Sequence, residues 1–349
     1  GKKSYVRYID KETGDYLPEH YGRCDRESKC SYHLNPYIDG YAKEIGLQAK
    51  GNSFGAANSH KLWQNMELPH PEPVYFDFDT FRQTLANDRY EYNTFIQNLF
   101  CRVQFPFEVD EITKVIQLYR LGTVANGYRA GANTFPFIDV KGNVRAIQVK
   151  QFDEQNHTTG TDFLHSIIEK HHTRNNKPLP EWLKAYTRQD KRISCLFGEH
   201  LLSKYHNSPV ALVEAPKTAV YGTLYFGLPE APESPIWLAV YNKSSFSFEK
   251  IKVLQGRNVF VFPDLSKDGS TFNEWKTKAM EYEKRLPGTR FIFSDLLEQL
   301  APEADRYEGS DLADYLIQQD WRQFRKLNIK ERPPQPKPKK REVTLSKEE

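Results

Sequence analysis

VALVEAPKTAV, residues 210–220, is the stretch on which the fold turns. Four apolar residues run straight into Glu214, and a helix-like segment, KTAVYGTLYF, follows at once. A short continuous apolar run reads as a strand buried on both faces. Glu is a poor residue to bury, so a Glu at the end of such a strand marks a strand end that faces a crevice. NVFVFPDLSKDG, residues 258–269, repeats the pattern with Asp264, and GSDLADYL, residues 309–316, adds Asp311 and Asp314. Carboxylates at the carboxyl ends of strands in an α/β sheet can share one crevice. Crowded oxygen ligands of that kind hold magnesium, and magnesium suits phosphate chemistry. Each acid alone also has a structural reading: Glu214 would be an exposed first-turn residue that complements the helix dipole.

The surroundings support an alternating architecture. From about residue 205, the strand candidates ALVE, IWLAV, NVFVF and RFIFS are separated by the helix candidates KTAVYGTLYF, FEKIKVLQ and TFNEWKTKAMEYEKRL. Strand alternating with helix predicts a parallel sheet covered on both faces. One last helix, DLADYLIQQDWRQFRKL, is expected to close the folded part. The tail PPQPKPKKREVTLSKEE is rich in Pro and charge and is expected to be disordered; its PKPKKR run reads as solvated.

Upstream, a helix is expected from FDTFRQTL to about Arg102, and a second in EVDEITKVIQLYRLG, ended by Gly122. NTFPFIDV and NVRAIQVKQF, joined by KGN, read as an antiparallel hairpin with one face buried. Helices are expected at DFLHSIIEKHH and PEWLKAYTR. In VYFDFDTF, Asp77 and Asp79 have the spacing of a metal pair, but Asp79 reads better as a helix N-cap. His171 and His172 read as a solvated helix end that suits the carboxyl-terminal dipole.

The 349 residues allow two or three domains. Charged residues at 27% and a mean hydropathy of −0.72 argue for a polar surface, and no apolar run approaches the ~20 residues of a membrane span. The first residues have no apolar signal-peptide core. A net charge of +3 is too small to imply nucleic acid by itself, so a binding face would have to be local. Four cysteines make no disulfide framework, and a reducing cytoplasm is the expected compartment. Aromatics, at 13%, read as core and half-buried strand residues, with base stacking open to a few of them. Cys24, Cys30 and His33 form C-x5-C-x2-H, three of the four ligands that a structural zinc site wants, with His20 as a remote fourth. Equally, they read as two reduced cysteines and a surface His in a turn. Cys101 and Cys195 sit in apolar surroundings and are expected in the core.

Residues 205–325 resemble the Toprim domain of primases and topoisomerases. VEAPKTA is similar to that family's V-E-G/S-E-K-T-A pattern, FPDLS occupies its Asp-x-Asp position, and GSDLADYL resembles its G-K-D-x-A-D-x-L segment. GRCDRESKCSYH, LGTVANGYRAGANTFPFID, LFGEHLL and WLA extend the resemblance to uncharacterised primase-like Toprim proteins of Bacteroidetes mobile elements, which begin with a zinc ribbon. The resemblance implies an α/β fold: a Toprim-like parallel sheet flanked by helices in the C-terminal half, a mixed α+β N-terminal region, and a remnant zinc-ribbon segment. The expected divisions are 1–36, 37–204, 205–325 and 326–349. It implies Glu214 as general acid/base and Asp264 as a catalytic carboxylate. It also implies Glu214, Asp264, Asp268, Asp311 and Asp314 as Mg²⁺ or Mn²⁺ ligands, and Lys217, Lys243 and Arg257 as phosphate contacts. Cys24, Cys30 and His33 become zinc ligands, and the family's preceding Cys-Pro-x-Cys pair is expected to lie ahead of Gly1, lost by truncation. Partners would be single-stranded DNA or RNA, nucleotides, and replication or mobilisation proteins, with no membrane. The expected function is primase-like nucleotidyl or phosphoryl transfer in a mobile-element or phage setting. The alternatives are a nucleic-acid-binding module with a degraded metal site and a small-nucleotide hydrolase. Three departures bear on that choice. Ser266 stands where the second Asp belongs, Pro216 replaces an acid, and AVYNKSS replaces a Gly-rich turn.

Overall fold

The computed structural model describes residues 5–11, 14–24, 33–37, 40–42, 74–188, 193–230 and 233–330. They divide between two units, Gly1–Glu72 and Pro73–Glu349. In the first unit, β1 (Tyr5–Arg7), β2 (Gly22–Cys24) and β3 (His33–Leu34) form an antiparallel three-stranded sheet. The His33 ring is hydrogen-bonded through Nε2 to the Tyr8 hydroxyl at 2.8 Å. The His20 ring lies 4.3 Å from that of Tyr21. Cys30 and the tail after residue 330 lie outside the described residues.

The second unit opens with α1 (Phe78–Gln83). Its cap is Asp77, not Asp79: the Asp77 Oδ2 accepts the Thr80 N–H at 2.8 Å, while Asp79 pairs with Arg82 in solvent. The long helix expected to run to Arg102 is broken. A 3-10 turn at Asn87–Tyr92 is followed by a fresh start at Asn93 and a π-helical turn at Asn98–Arg102. Asn93 causes the break. It is fully buried, caps the new turn through the Ile96 N–H, and donates its amide to the Gly122 carbonyl, Thr123 Oγ1 and Asn133 Oδ1. Cys101 is exposed rather than in the core, because the π turn carries it outward; Cys195 is buried as expected. Helix α2 (Val109–Tyr119) ends on Arg120 in the left-handed conformation at φ 51, and Gly122 instead begins a strand.

That strand, β4 (Gly122–Thr123), starts an antiparallel sheet with β5 (Asn133–Ile138), β6 (Val144–Phe152) and β7 (Thr158–Phe163), in that order. The expected hairpin is β5–β6, but both of its faces are buried rather than one. Helices α3 (Leu164–Arg174) and α4 (Glu181–Thr187) follow. On one face of this sheet, Ile147 and Val149 pack with Phe81, Leu164, Ile167 and Tyr186. On the other, Phe135, Phe137, Ala146 and Phe152 join the core of the parallel sheet.

The parallel sheet is built from β8 (Val210–Val213), β9 (Ile236–Ala239), β10 (Asn258–Phe262) and β11 (Arg290–Phe293), in the order β11-β10-β8-β9. Helix α5 (Pro216–Phe226) crosses from β8 to β9 and is buried almost all round, as its apolar composition requires. Pro216 sits at its first position, where proline's missing N–H costs nothing. Gly222 lies flat against the Trp237 ring, which leaves no room for a Cβ. Helix α6 (Ser270–Arg285) covers Val259 and Val261 with Trp275. Strands β8 and β9 are buried on both faces, whereas β10 and β11 expose Phe260 and Ile292 on one face, so the sheet is less covered than expected. The expected closing helix is two: α7 (Leu312–Leu316) and α8 (Trp321–Lys330), separated where the Asp320 carboxylate accepts the Arg322 N–H. Among the described residues no helix is long and apolar enough to cross a membrane.

One buried acid supports the junction of the two sheets. Glu199 accepts the Val140 N–H at 3.3 Å and the Leu196 N–H at 2.9 Å. Burial pushes its carboxyl from 4.5 up to about 7, with the two N–H groups opposing. The folded chain therefore holds a proton between those values that the unfolded chain has released. Stability should fall as pH rises from about 4.5 to 7, by about 3 kcal/mol in total. Glu199→Gln is expected to flatten that decline, which urea midpoints at pH 5 and pH 8 would show; an unchanged slope would mean Glu199 titrates normally.

Candidate active site at the switch point of the parallel sheet

From β8 the chain crosses to β9 on one side, then returns to place β10 and β11 on the other. The two directions of winding part between β8 and β10, and a crevice at the carboxyl ends of those strands is where α/β sheets bind ligands. Glu214 is the first residue after β8, and Asp264 lies two residues past β10. The two acids read from the apolar runs thus flank the switch point. Burial pushes the Asp264 carboxyl well above the usual range; Asp311 and Glu214 push it further, and Lys217 opposes them. The Asp264 side chain lies partly at the surface, yet its Oδ1 is shut from water and has no hydrogen-bond partner among the described residues. Burial also raises the Glu214 carboxyl, against the Lys243 N–H and the charges of Lys150 and Lys243.

Asp311 and Asp314 come to the same place but are already engaged. Asp311 caps α7 through the Asp314 N–H at 3.1 Å, and Asp314 returns the bond by accepting the Asp311 N–H at 2.9 Å. Lys217, from the first turn of α5, lies 2.7 Å from Asp314 Oδ1 and 3.3 Å from Asp311 Oδ2. The Thr218 hydroxyl donates to Asp311 Oδ2 at 2.9 Å. All four carboxylate oxygens therefore have protein partners, so these residues build a helix cap and a buried ion pair rather than a metal cage. Lys217 is correspondingly not a free phosphate contact. Burial alone would lower its ammonium; the two aspartates more than reverse that, and it stays charged.

Other expected ligands lie elsewhere. Asp268 is exposed and accepts the Ser270 N–H at the start of α6, bonds that hold its carboxyl below the usual range. Ser266, in the place of the second Asp, spends its oxygen on the Thr271 N–H at 3.1 Å. Arg257 stands before β10, at the opposite end of the sheet from the crevice. Its guanidinium donates to the carbonyls of Leu202, Tyr205 and Ser208, which makes it a staple and not a phosphate contact. Lys243 sits beside the crevice with its Nζ 3.1 Å from Ser270 Oγ and 3.7 Å from Glu274. Tyr241, in the segment that replaces a Gly-rich turn, holds φ at 106, so the backbone keeps a glycine-like shape without the glycine.

Lys150 is the residue that the motifs did not flag. It lies on β6, near the far end of the hairpin, and feels the charges of Asp311, Lys217, Asp264 and Glu214. Burial lowers its ammonium, with Lys217 acting in the same sense and the three acids opposing. The signal in the sequence is its phase: Gln148 and Lys150 share the phase of Ala146 and Phe152, so polar residues fall on a core-facing side of the strand.

Among the described residues, no three His, Cys, Asp or Glu side chains converge on a metal position. A magnesium ion does not require a complete protein cage, because one or two carboxylates plus substrate phosphates commonly hold it. The unpartnered Asp264 oxygen beside Glu214 fits that smaller donor set.

Residues 93–265 match a family model described as "Domain of unknown function (DUF6371)", and residues 1–44 match one described as "Zinc beta-ribbon finger, putative". No curated protein matches the chain. Solved structures similar to it include three primases. The primase fragment of the bacteriophage T7 primase-helicase protein is 12% identical over 51% of this chain and 59% of that one, with a TM-score of 0.30. The DnaG catalytic core is 14% identical over 68% and 74%, with a TM-score of 0.36. The RNA polymerase domain of Mycobacterium tuberculosis primase DnaG is 13% identical over 73% and 84%, also at 0.36. The chain thus spans 59% of the length of the T7 fragment.

Proposed function

We propose that this chain is a primase-like protein that acts on DNA or RNA by nucleotidyl or phosphoryl transfer at the β8–β10 crevice. The observation that carries this is the pair of strand-end carboxylates at the switch point, one with a buried oxygen that no group among the described residues satisfies. Glu214 and Asp264 would hold a divalent cation, Mg²⁺ or Mn²⁺, which neutralises phosphoryl oxygens when bound. Glu214, its carboxyl raised by burial, is suited to hold and pass a proton. Lys150 supplies positive charge from the antiparallel sheet, and Lys243 from the loop after β9, both toward an anionic substrate. The Cys24, Cys30 and His33 zinc ribbon, the cytoplasmic location and the Bacteroidetes mobile-element or phage setting belong to the same proposal and rest on the sequence resemblance.

The second reading, a nucleic-acid-binding module without catalysis, is favoured by one feature. Asp311 and Asp314 are committed to Lys217, which leaves the crevice two carboxylates for a cation. Primer synthesis on single-stranded templates with Mg²⁺ or Mn²⁺ separates the two. Glu214→Gln is expected to lower the rate by about 100-fold or more without loss of folding. An unchanged rate would remove the catalytic reading. Both readings require salt-sensitive binding to single-stranded nucleic acid, and its absence at low salt would count against both.

A further inference from the structure

The antiparallel sheet has a second recess, on the face opposite Lys150. Ile147 and Val149, which alternate with Gln148 and Lys150, point to the layer of α1 and α3. Between those helices and the loop after β4 lies a pocket of about 670 Å³. That is within the range of small-molecule sites, roughly 300–1,000 Å³. Its interior is apolar, with Val124, Leu164 and Ile167. Its basic lining residues are Arg89, Lys170, His171 and Arg174, and no carboxylate lines it.

These cations are largely uncommitted. Arg174 makes no ion pair among the described residues, and Arg89 reaches only Asp88, at 4.0 Å. Lys170 shares Asp162, at 3.4 Å, with Arg129, which holds that carboxylate more closely at 2.9 Å. The loop adds donors. The N–H groups of Ala125, Asn126, Gly127 and Tyr128 find no acceptor among the described residues. The loop is also held in shape: Gly127, Arg129 and Gly131 all have positive φ, and the Arg129 guanidinium is fixed by Asp162 and Gln151. Successive free N–H groups in such a turn make an anion-binding concavity. The Tyr128 ring, a lining residue, is half exposed; the Arg129 guanidinium lies over one face, 4.7 Å from its centroid, which leaves the other face for stacking.

We propose that this pocket binds a phosphate-bearing nucleotide, with the ring in the apolar slot by Tyr128 and the phosphate among Arg89, Arg174 and the 125–128 N–H groups. The apolar interior selects a flat ring, and the uncompensated positive rim selects its anion. This site is separate from the β8–β10 crevice and does not depend on the function proposed for it. A free nucleotide and a nucleotide within a single strand share the chemistry.

Fluorescence anisotropy of N-methylanthraniloyl-ATP, in EDTA so that no divalent cation assists the crevice, tests the assignment on the full chain. Binding is expected, unchanged within about twofold in Glu214→Gln. The pair Arg89→Glu and Arg174→Glu is expected to weaken it by more than about tenfold, and Tyr128→Ala by about tenfold. Both arginines are surface groups without strong partners, and circular dichroism would confirm that the variant is folded. Competition identifies the source. A thymidylate 12-mer that displaces the probe better than thymidine monophosphate points to a strand, and the reverse order points to a free nucleotide; either supports the site. No binding in EDTA, or binding that survives the double variant in a folded protein, overturns it. Primer synthesis in the presence of Mg²⁺ would report on the crevice whichever way this result falls.

Discussion

Lys217→Ala is expected to lower the free energy of unfolding by about 3–5 kcal/mol, the scale for removing one partner from a buried ion pair. The Lys217 and Asp311 side chains are each 9% exposed, so water cannot replace the ammonium. Without it, the Asp311 carboxylate would keep the Thr218 hydroxyl and the Asp314 N–H as partners but lose the ammonium 3.3 Å away. The loss would spread, because the Ser310 carbonyl accepts the Leu265 N–H and so ties the start of α7 to the segment that carries Asp264. Urea unfolding at pH 7 measures it. The triple variant Lys217→Met, Asp311→Asn, Asp314→Asn should cost less than Lys217→Ala alone, since it leaves no charge unpaired. If Lys217→Ala costs under about 1 kcal/mol, the network is a solvated pair and the two aspartates return as candidate cation ligands.

Why the sequence overstated the acidic site follows from the same residues. Strand ends are legible because an apolar run that stops on a carboxylate encodes burial and its limit together; Glu214 and Asp264 were read that way, and the parallel sheet with them. The partners of a carboxylate are not encoded locally. Asp311 and Asp314 look alike as metal ligands or as a capping box, and only the approach of Lys217, ninety-odd residues away in sequence, decides between them. Arg257 shows the same limit: a basic residue next to a strand carries no mark of which end of the sheet it occupies. β7 leaves little trace in the sequence because TTGTDF is a polar edge strand with little apolar alternation. The false continuity of residues 78–102 has another cause. The apolar spacing there is helical, but one buried Asn93, whose amide donates to Gly122, Thr123 and Asn133 and accepts the Ile96 N–H, overrides it. Lys150 was legible in principle, as a charged residue in the core phase of a strand, a pattern that costs stability and so asks for a reason.

Asp264→Asn is expected to stabilise the folded chain above neutral pH while removing its response to divalent cation. An ionised carboxylate with one oxygen shut from water and unpartnered is a net cost. The raised carboxyl gives the sign: the folded state keeps the proton through a pH window in which the unfolded state has lost it, so stability falls as pH rises through that window. An amide does not titrate, and the fall should be absent in the variant. At pH 8 the gain is expected at about 1–2 kcal/mol, the scale of an unsatisfied buried polar group. Cation binding to the native state alone would offset that cost in the wild type, so added Mn²⁺ should raise its urea midpoint and leave that of the variant unmoved. Activity should fall by about 100-fold or more, as when one electrostatic catalytic group is removed. A variant that is still stabilised by Mn²⁺ would show that the cation binds elsewhere, and one less stable than wild type at pH 8 would show that Asp264 is a structural acid. The joint outcome, more stable and inactive, is what distinguishes a residue kept for chemistry from one kept for folding.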